Sequence, residues 1–315
     1  MIDIRTPSPL DVEAAAERIA GLVRPVTVMA AGPEYGLGAE IFLALEFMQH
    51  TGSFQARGAA NLFAAMLAAG TMPDAGIVST TDHNADIGFA WAARLFGIPT
   101  TVFLAESATP ARADRLRGLG ARVRIGGWTQ DQANDNASRF TARTGAIDAH
   151  TFDDNLTSAG AGTLLLECLT AIPKLDTIVL AVGAGGLFPG VTAVAAGRGI
   201  RVVGAEPDGS RAPHALSSAR ARAADVRTFV VEDDAIGLAR RSLWEGYRMV
   251  VEHDAATALA VLTTGAYRPS KGERVGVILC GANTDPADLG AWIDTRAIGD
   301  VPDGAVAQSQ TDWVA

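Results

Sequence analysis

The feature that most constrains this chain is an alternation of short apolar runs with helical segments. Gly76–Ser79, Thr100–Leu104 and Ala121–Ile125 read as strands. Between and after them, Ile87–Leu95, Pro110–Leu119 and Asp131–Thr144 read as helices. Gly97-Ile98-Pro99 breaks the first of these helices, and Gly120 is a good residue to end the second. Strand and helix in strict alternation predict parallel sheet with helices packed on both faces, an α/β fold. The second half continues in the same manner. Helices are predicted over Gly162–Ala171, Pro189–Ala196, Ala235–Tyr247 and Ala255–Leu262, and strands over Thr177–Val182, Arg201–Ala205 and Arg274–Cys280. Upstream, Leu10–Leu22 reads as a helix with Asp11 as its N-cap, Ile41–Leu45 as a buried strand and Gly58–Ala69 as a helix. From Ile298 onward the sequence is polar and reads as a loose tail. No internal repeat or long linker interrupts the pattern.

The most informative local motif is Val182-Gly183-Ala184-Gly185-Gly186-Leu187, which follows an apolar strand and opens a helix. Glycines at such a turn let backbone N–H groups converge on an anion at the helix N-terminus. A tight strand-to-helix turn without a ligand gives the same spacing. The dinucleotide fingerprint is absent, because no G-x-G-x-x-G start is followed by an acidic residue at the end of a second strand.

Composition narrows the chemistry. Against 35 acidic residues the chain has 26 basic ones, and only Lys174 and Lys271 are lysines. A Schiff-base or lysine-nucleophile mechanism must therefore use one of two residues. A formal charge of −9 argues against nonspecific binding to nucleic acid or anionic membrane. Two cysteines, Cys168 and Cys280, fit a reducing, cytoplasmic setting. The acidic N-terminal stretch has no apolar core of the kind a signal peptide needs, and no apolar run reaches membrane-span length.

Several ordered segments resemble a known family. Leu43–Ala59, containing Leu45-Glu46 and Thr51-Gly52-Ser53-Phe54-Gln55-Ala56-Arg57-Gly58, is similar to the stretch around a cofactor lysine. Phe152-Asp153-Asp154, Gly160-Ala161-Gly162-Thr163, Gly204-Ala205-Glu206-Pro207 and Cys280-Gly281-Ala282-Asn283-Thr284-Asp285 match in order and spacing. Together with the glycine loop these resemble the threonine/serine dehydratase group of the fold type II pyridoxal-phosphate (PLP) enzymes, the tryptophan synthase β superfamily. The resemblance covers roughly residues 10–295. It implies a two-domain architecture of parallel-rich sheets flanked by helices. The small domain would span 77–147 and the large domain 1–76 and 148–315, with the active-site cleft between them. It also implies a homodimer. By the same resemblance, Asn84 falls against the cofactor's 3-hydroxyl. Gly183, Ala184, Gly185, Gly186 and Leu187 fall on its phosphate, and Cys280 faces its pyridine nitrogen.

The departures concern mechanism. Gln55 stands where T-G-S-F-K-x-R-G has its lysine, and an amide can neither form an imine nor carry a proton between substrate carbons. Ala44 replaces the usual lysine of L-K-L-E. Thr81-Asp82-His83-Asn84-Ala85-Asp86 stands where the family has a Ser-Gly-Gly-Asn-His-Gly type loop that cradles a substrate carboxylate. Two carboxylates there repel another, so the loop suits a cation, a metal, a neutral ligand or proton transfer. Asp82, His83 and Asp86 are the acid/base candidates, the alternative being an exposed turn in which Asp86 caps the following helix. Glu252-His253-Asp254 replaces a Glu-Pro-Ala segment and is expected to turn His253 and Asp254 toward the cleft; its spacing diagnoses no metal. His50 is expected to pack beside the cofactor-lysine segment, and Cys168 to be inert core.

The leading expectation is a repurposed enzyme performing lysine-free lyase, isomerase or cyclase chemistry on a small polar metabolite, with PLP bound at most noncovalently. The alternatives are a noncatalytic sensor or partner subunit, and a PLP-dependent serine/threonine ammonia-lyase carrying an engineered Lys-to-Gln change.

Overall fold

Two sheets organise the chain, and the computed structural model describes residues 7–35, 38–80, 84–149, 154–183, 186–209 and 225–289. The tail predicted from Ile298 lies outside them. The larger sheet has six strands in the order β1-β2-β10-β7-β8-β9. These are β1 (Val28–Ala30), β2 (Glu40–Ala44), β7 (Thr177–Ala181), β8 (Arg201–Pro207), β9 (Val226–Val231) and β10 (Arg274–Ile278). Every pairing is parallel except β1 with β2. The smaller sheet runs β5-β4-β3-β6 and is parallel throughout. It is built from β3 (Ile77–Ser79), β4 (Thr100–Leu104), β5 (Arg122–Ile125) and β6 (Ile147–Asp148). This is the predicted α/β, parallel-rich architecture.

The helices are α1 (Pro9–Ile19), α2 (Gln55–Ala68), α3 (Asn84–Phe96), α4 (Pro110–Gly118), α5 (Gln130–Thr144), α6 (Asp154–Ala171), α7 (Leu187–Ala195), α8 (Asp233–Tyr247) and α9 (His253–Thr263). Three strands escaped sequence reading. β1 and β6 are too short to show a period, and β9 is a half-exposed edge strand whose Val230 is 65% exposed. The first helix is capped by Ser8, not Asp11. Ser8 Oγ accepts from the Asp11 N–H (3.2 Å) while Asp11 Oδ2 accepts from the Ser8 N–H (2.8 Å), a reciprocal box that starts the helix at Pro9.

Strands buried on both faces explain the unbroken apolar runs. Leu43, Ile178, Val179, Val202 and Val277 are fully buried in the large-sheet core, with Cys168 among them. Burial pushes the Cys168 thiol up to about 12, which keeps it protonated and inert. A second core of Leu62, Phe63 and Phe89 lies between α2 and α3. α6 and α7 cross closely where two glycines face each other: a Cβ built on Gly162 would lie 2.6 Å from the Gly190 carbonyl oxygen.

At the N-terminal edge of the large sheet, Glu273 accepts from Thr177 Oγ1 (2.6 Å), the Ser270 N–H (2.7 Å) and the Tyr267 hydroxyl. Burial raises its carboxyl, but these bonds and Arg201 outweigh burial and leave it below its ordinary value. A depressed folded-state pKa gives stability that is full above the unfolded value and lost as pH falls through the folded one. The melting-temperature gap between the natural protein and Glu273→Gln should therefore be widest near neutrality and close under acid. A gap that does not change with pH would show that Glu273's ionisation contributes nothing.

Candidate active site

The site forms at the C-terminal ends of the parallel strands, where helix N-termini converge. Backbone pairing zips its floor together. The Phe54 N–H donates to Cys280 O (3.0 Å), Ala282 N–H to Gly52 O (2.9 Å) and Glu252 N–H to Gly281 O (3.0 Å), and Ser53 bridges Gly281. This places the start of α2, the residues after β10 and the start of α9 side by side.

Gln55 is the first residue of α2, and its Oε1 is buried with no hydrogen-bond partner among the described residues. An unmade bond to a buried acceptor costs about 1–3 kcal/mol. Gly88 of α3 packs directly on it: a Cβ there would sit 3.0 Å from both the Cβ and the carbonyl oxygen of Gln55. Below it, Arg57 is fully buried and fully bonded. It donates to Glu46 (2.7 and 3.1 Å), Glu167 (2.6 and 2.9 Å), Thr163 (3.1 Å) and the carbonyl of Arg24 (3.3 Å). The flanking carboxylates outweigh burial and hold its guanidinium charged.

One turn before Gly88 on α3, Asn84 enters a network that the sequence did not foretell. Its Nδ2 donates to both oxygens of Glu252 (3.0 and 2.8 Å), and its Oδ1 accepts from Asn283 Nδ2 (2.6 Å). Glu252 also accepts the Asn283 N–H (2.8 Å). Arg115 of α4 closes the network, donating to Asn283 Oδ1 (2.6 Å) and the carbonyl of Thr51 (2.9 Å). Among the described residues, all of Glu252's hydrogen bonds come from neutral groups. Burial lifts its carboxyl above its ordinary value, although the bonds from Asn84 and Asn283 work against this. Glu252 and Asn283 lie in segments whose similarity to the family could have pointed to them. Arg115 is one of many arginines and carried no signal.

Asp82 and His83 lie outside the described residues. Asp86 does not cap its helix, because α3 already begins at Asn84. It turns inward, fully buried, and is bound by the Ser79 hydroxyl and Arg112 (3.2 Å). A carboxylate held by a guanidinium and a hydroxyl is a poor proton shuttle. His253 faces Asp233 at 3.6 Å and Asp254 is exposed, so the cleft residue of that segment is Glu252. His50 stacks on Trp91, ring centroids 5.1 Å apart.

The glycine loop connects β7 to α7. Gly183, Gly186 and Leu187 are described; Ala184 and Gly185 are not. Gly186 caps α7 and has no side chain to bond the first N–H groups of that helix, on Leu187 and Phe188; Pro189 has no N–H to offer. Such an end attracts an anion. Cys280 is buried and its thiol is pushed well up by burial, then by Glu252 and Asp254, which disfavours a thiolate there. Both lysines lie at the wrong edge. Lys174 precedes β7 and Lys271 precedes β10, at the N-terminal ends of two parallel strands of five residues each. Roughly 16 Å of strand separates that edge from the glycine loop.

Comparison with known proteins shows the family and the fold. Residues 25–281 match the family described as pyridoxal-phosphate dependent enzyme. Phenylserine dehydratase of Ralstonia pickettii is 32% identical over 280 residues, 79% of this chain and 85% of that protein. L-threonine ammonia-lyase of Thermotoga maritima is 29% identical over 279 residues, 79% of this chain and 68% of that protein. Maize serine racemase superimposes with a TM-score of 0.81 at 25% identity, covering 92% of this chain and 97% of that one.

Proposed function

The chain belongs to the pyridoxal-phosphate dependent enzyme family, and we propose that it has kept the family's cleft while giving up covalent chemistry on the cofactor. Gln55 carries this reading. It stands where the resemblance puts the imine-forming lysine, and its amide leaves an acceptor where the family presents an amine. The cofactor's two ends fare differently. The start of α7, with Gly183, Gly186 and Leu187 and no side-chain cap from Gly186, suits a phosphate. At the other end, Gln55 cannot bond an aldehyde carbon, and Asn84's amide is already committed to Glu252 and Asn283. PLP therefore does not fit here as a covalent cofactor, and no step is assigned to it.

In this reading the protein binds a small polar metabolite in a cleft between a small domain, 77–147, and the rest of the chain, and pairs as a homodimer. Catalysis would be proton transfer of the lyase or isomerase type. Asp82 and His83 are its candidates, joined by Glu252, whose proton affinity burial has raised. Asp86 leaves the set. The inward ion pair of Asp86 is also the observation that favours a second, noncatalytic reading, a ligand sensor or partner subunit.

Mixing the purified protein with PLP should give no visible imine band and no adduct that survives borohydride reduction. The Gln55→Lys variant should gain the band yet release no ammonia from L-serine or L-threonine, because the 81–86 loop differs as well. Ammonia release by that variant would mean that a single substitution separates this chain from a dehydratase, and the repurposing idea would fail.

A further inference from the structure

The small sheet carries a group of cations on the face turned away from the cleft. Val102 and Leu104 of β4 pack toward α3 and α4, whose Asn84 and Arg115 belong to the cleft. Phe103, between them in sequence, faces the other way and packs with Phe140 and Ala137 of α5. The helix sits over β3 and β4 and leaves the edge strand β5 to one side. The trough between α5 and β5 has a volume of about 580 Å³, ordinary for a small-molecule site. Phe103, Arg124, Asn136, Arg139, Ala142 and Arg143 line it. Asn136, Arg139 and Arg143 recur at helical spacing and so share one face of α5. Arg124 reaches the same side because it lies directly opposite Phe103 in the parallel ladder. Its guanidinium sits over the rings of Phe140 (4.8 Å to the centroid) and Phe103 (5.8 Å), which fixes its charge in place.

Three positive charges thus meet beside an aromatic floor, and no acidic residue lines the trough. None of the three guanidiniums forms an ion pair among the described residues. Arg139 donates its Nε to the Asp135 carbonyl of its own helix (3.2 Å), and Arg143 bonds no described residue. Elsewhere Arg57, Arg112, Arg201 and Arg274 each face a carboxylate. A chain with 35 acidic residues to 26 basic ones has carboxylates to spare, yet none is placed here. Arg139 and Arg143 also stand one turn apart, where like charges repel and weaken a helix. An oxyanion supplies what these groups lack. Each guanidinium is a planar fork that can hold two oxygens of a phosphate or carboxylate. A trough lined by one sign of charge concentrates counter-ions, and a monovalent anion would leave two of the three charges unanswered.

We propose that this trough is a second ligand site, outside the cleft, for a small organic oxyanion with two or three negative charges held by Arg124, Arg139 and Arg143. The site stands independently of what happens at Gln55. Its size favours a metabolite over a macromolecule, and the formal charge of −9 opposes a long polyanion.

Isothermal titration of the full chain with pyrophosphate and with citrate, at matched ionic strength, tests this. At least one should bind saturably at about millimolar concentration or below. The double variant Arg139→Gln, Arg143→Gln should bind it at least about tenfold more weakly, and Arg124→Gln should weaken it as well. Arg94→Gln with Arg117→Gln removes the same charge from exposed positions on α3 and α4. Screening at physiological ionic strength should leave that control within about twofold of the natural protein. A preference for pyrophosphate points to a phosphate ester as the ligand, and a preference for citrate to a polycarboxylate. If the first double variant loses its helical circular dichroism, Arg124→Gln decides. Binding of neither anion overturns the proposal, as do equal losses in the two double variants. Binding untouched by the trough variants overturns it too, and places the anion elsewhere. Binding of polyglutamate but of neither small anion would make the trough a docking surface for an acidic chain, and the small-ligand site would fall.

Discussion

Arg57→Met should destabilise the fold by about 3–5 kcal/mol, measured as a fall in the urea midpoint with an unchanged slope. Arg57 is fully buried and Glu46 is 1% exposed, so deleting the guanidinium leaves Glu46 in the interior with no counter-charge. The damage reaches beyond one pair. Arg57 also ties α2 to α6 through Glu167 and Thr163, and Glu167 in turn accepts the Val26 N–H (2.6 Å). Arg57→Lys should not rescue it, since one ammonium cannot reproduce a planar fork bonded to two carboxylates. Arg57→Met combined with Glu46→Gln should recover part of the loss by removing the orphaned charge. A single variant within about 1 kcal/mol of the natural protein would show that the buried carboxyl simply takes up a proton at little cost.

Gly190→Ala should be nearly as damaging, and should also weaken the anion end of the cleft. A methyl at Gly190 would overlap the backbone carbonyl of Ser158 and lie 2.6 Å from the Gly162 nitrogen. Backbone cannot rotate away as a side chain can, so α6 and α7 must move apart. Overpacking of this kind costs about 1–3 kcal/mol and sometimes more. Because Ser158 also abuts Gly186, separation of the helices moves the α7 N-terminus off its position over the cleft. Ethyl phosphate or inorganic phosphate should therefore bind more weakly to Gly190→Ala. Gly246→Ala is the matched control: it lies in α8, and a Cβ there meets nothing within 4 Å. That change should stabilise by up to about 1 kcal/mol, through helix propensity alone. If both alanines behave alike, close packing at the α6–α7 crossing is not what holds the start of α7.

The fold was largely readable along the chain because a parallel sheet buried on both faces writes itself as apolar runs of strand length. The runs at 41–45, 100–104 and 177–182 needed no tertiary knowledge to find. The strands that were missed lack that signature. β6 has two residues, β1 three, and β9 is a partly exposed edge strand with no alternating pattern. Nor could the order β1-β2-β10-β7-β8-β9 be deduced, because it joins segments more than 200 residues apart.

For the site, the division follows from what each kind of statement requires. That Gln55 cannot form an imine is a matter of functional groups. A chain with two lysines, neither of them there, states it before folding, and the fold adds only that both lie at the opposite edge of the sheet. Which polar residues meet is a matter of direction, and direction comes from packing. Asp86 and His253 looked like cleft residues by position in their segments. The observed start of α3 at Asn84 turned Asp86 inward to Ser79 and Arg112, and the path of α9 left His253 facing Asp233. Glu252, one residue earlier, met Asn84 and Asn283 from 168 and 31 residues away. A side chain's chemistry is local and can be read in one dimension. Its partners are set by how helices and strands cross, and that existed only once the two sheets were assembled.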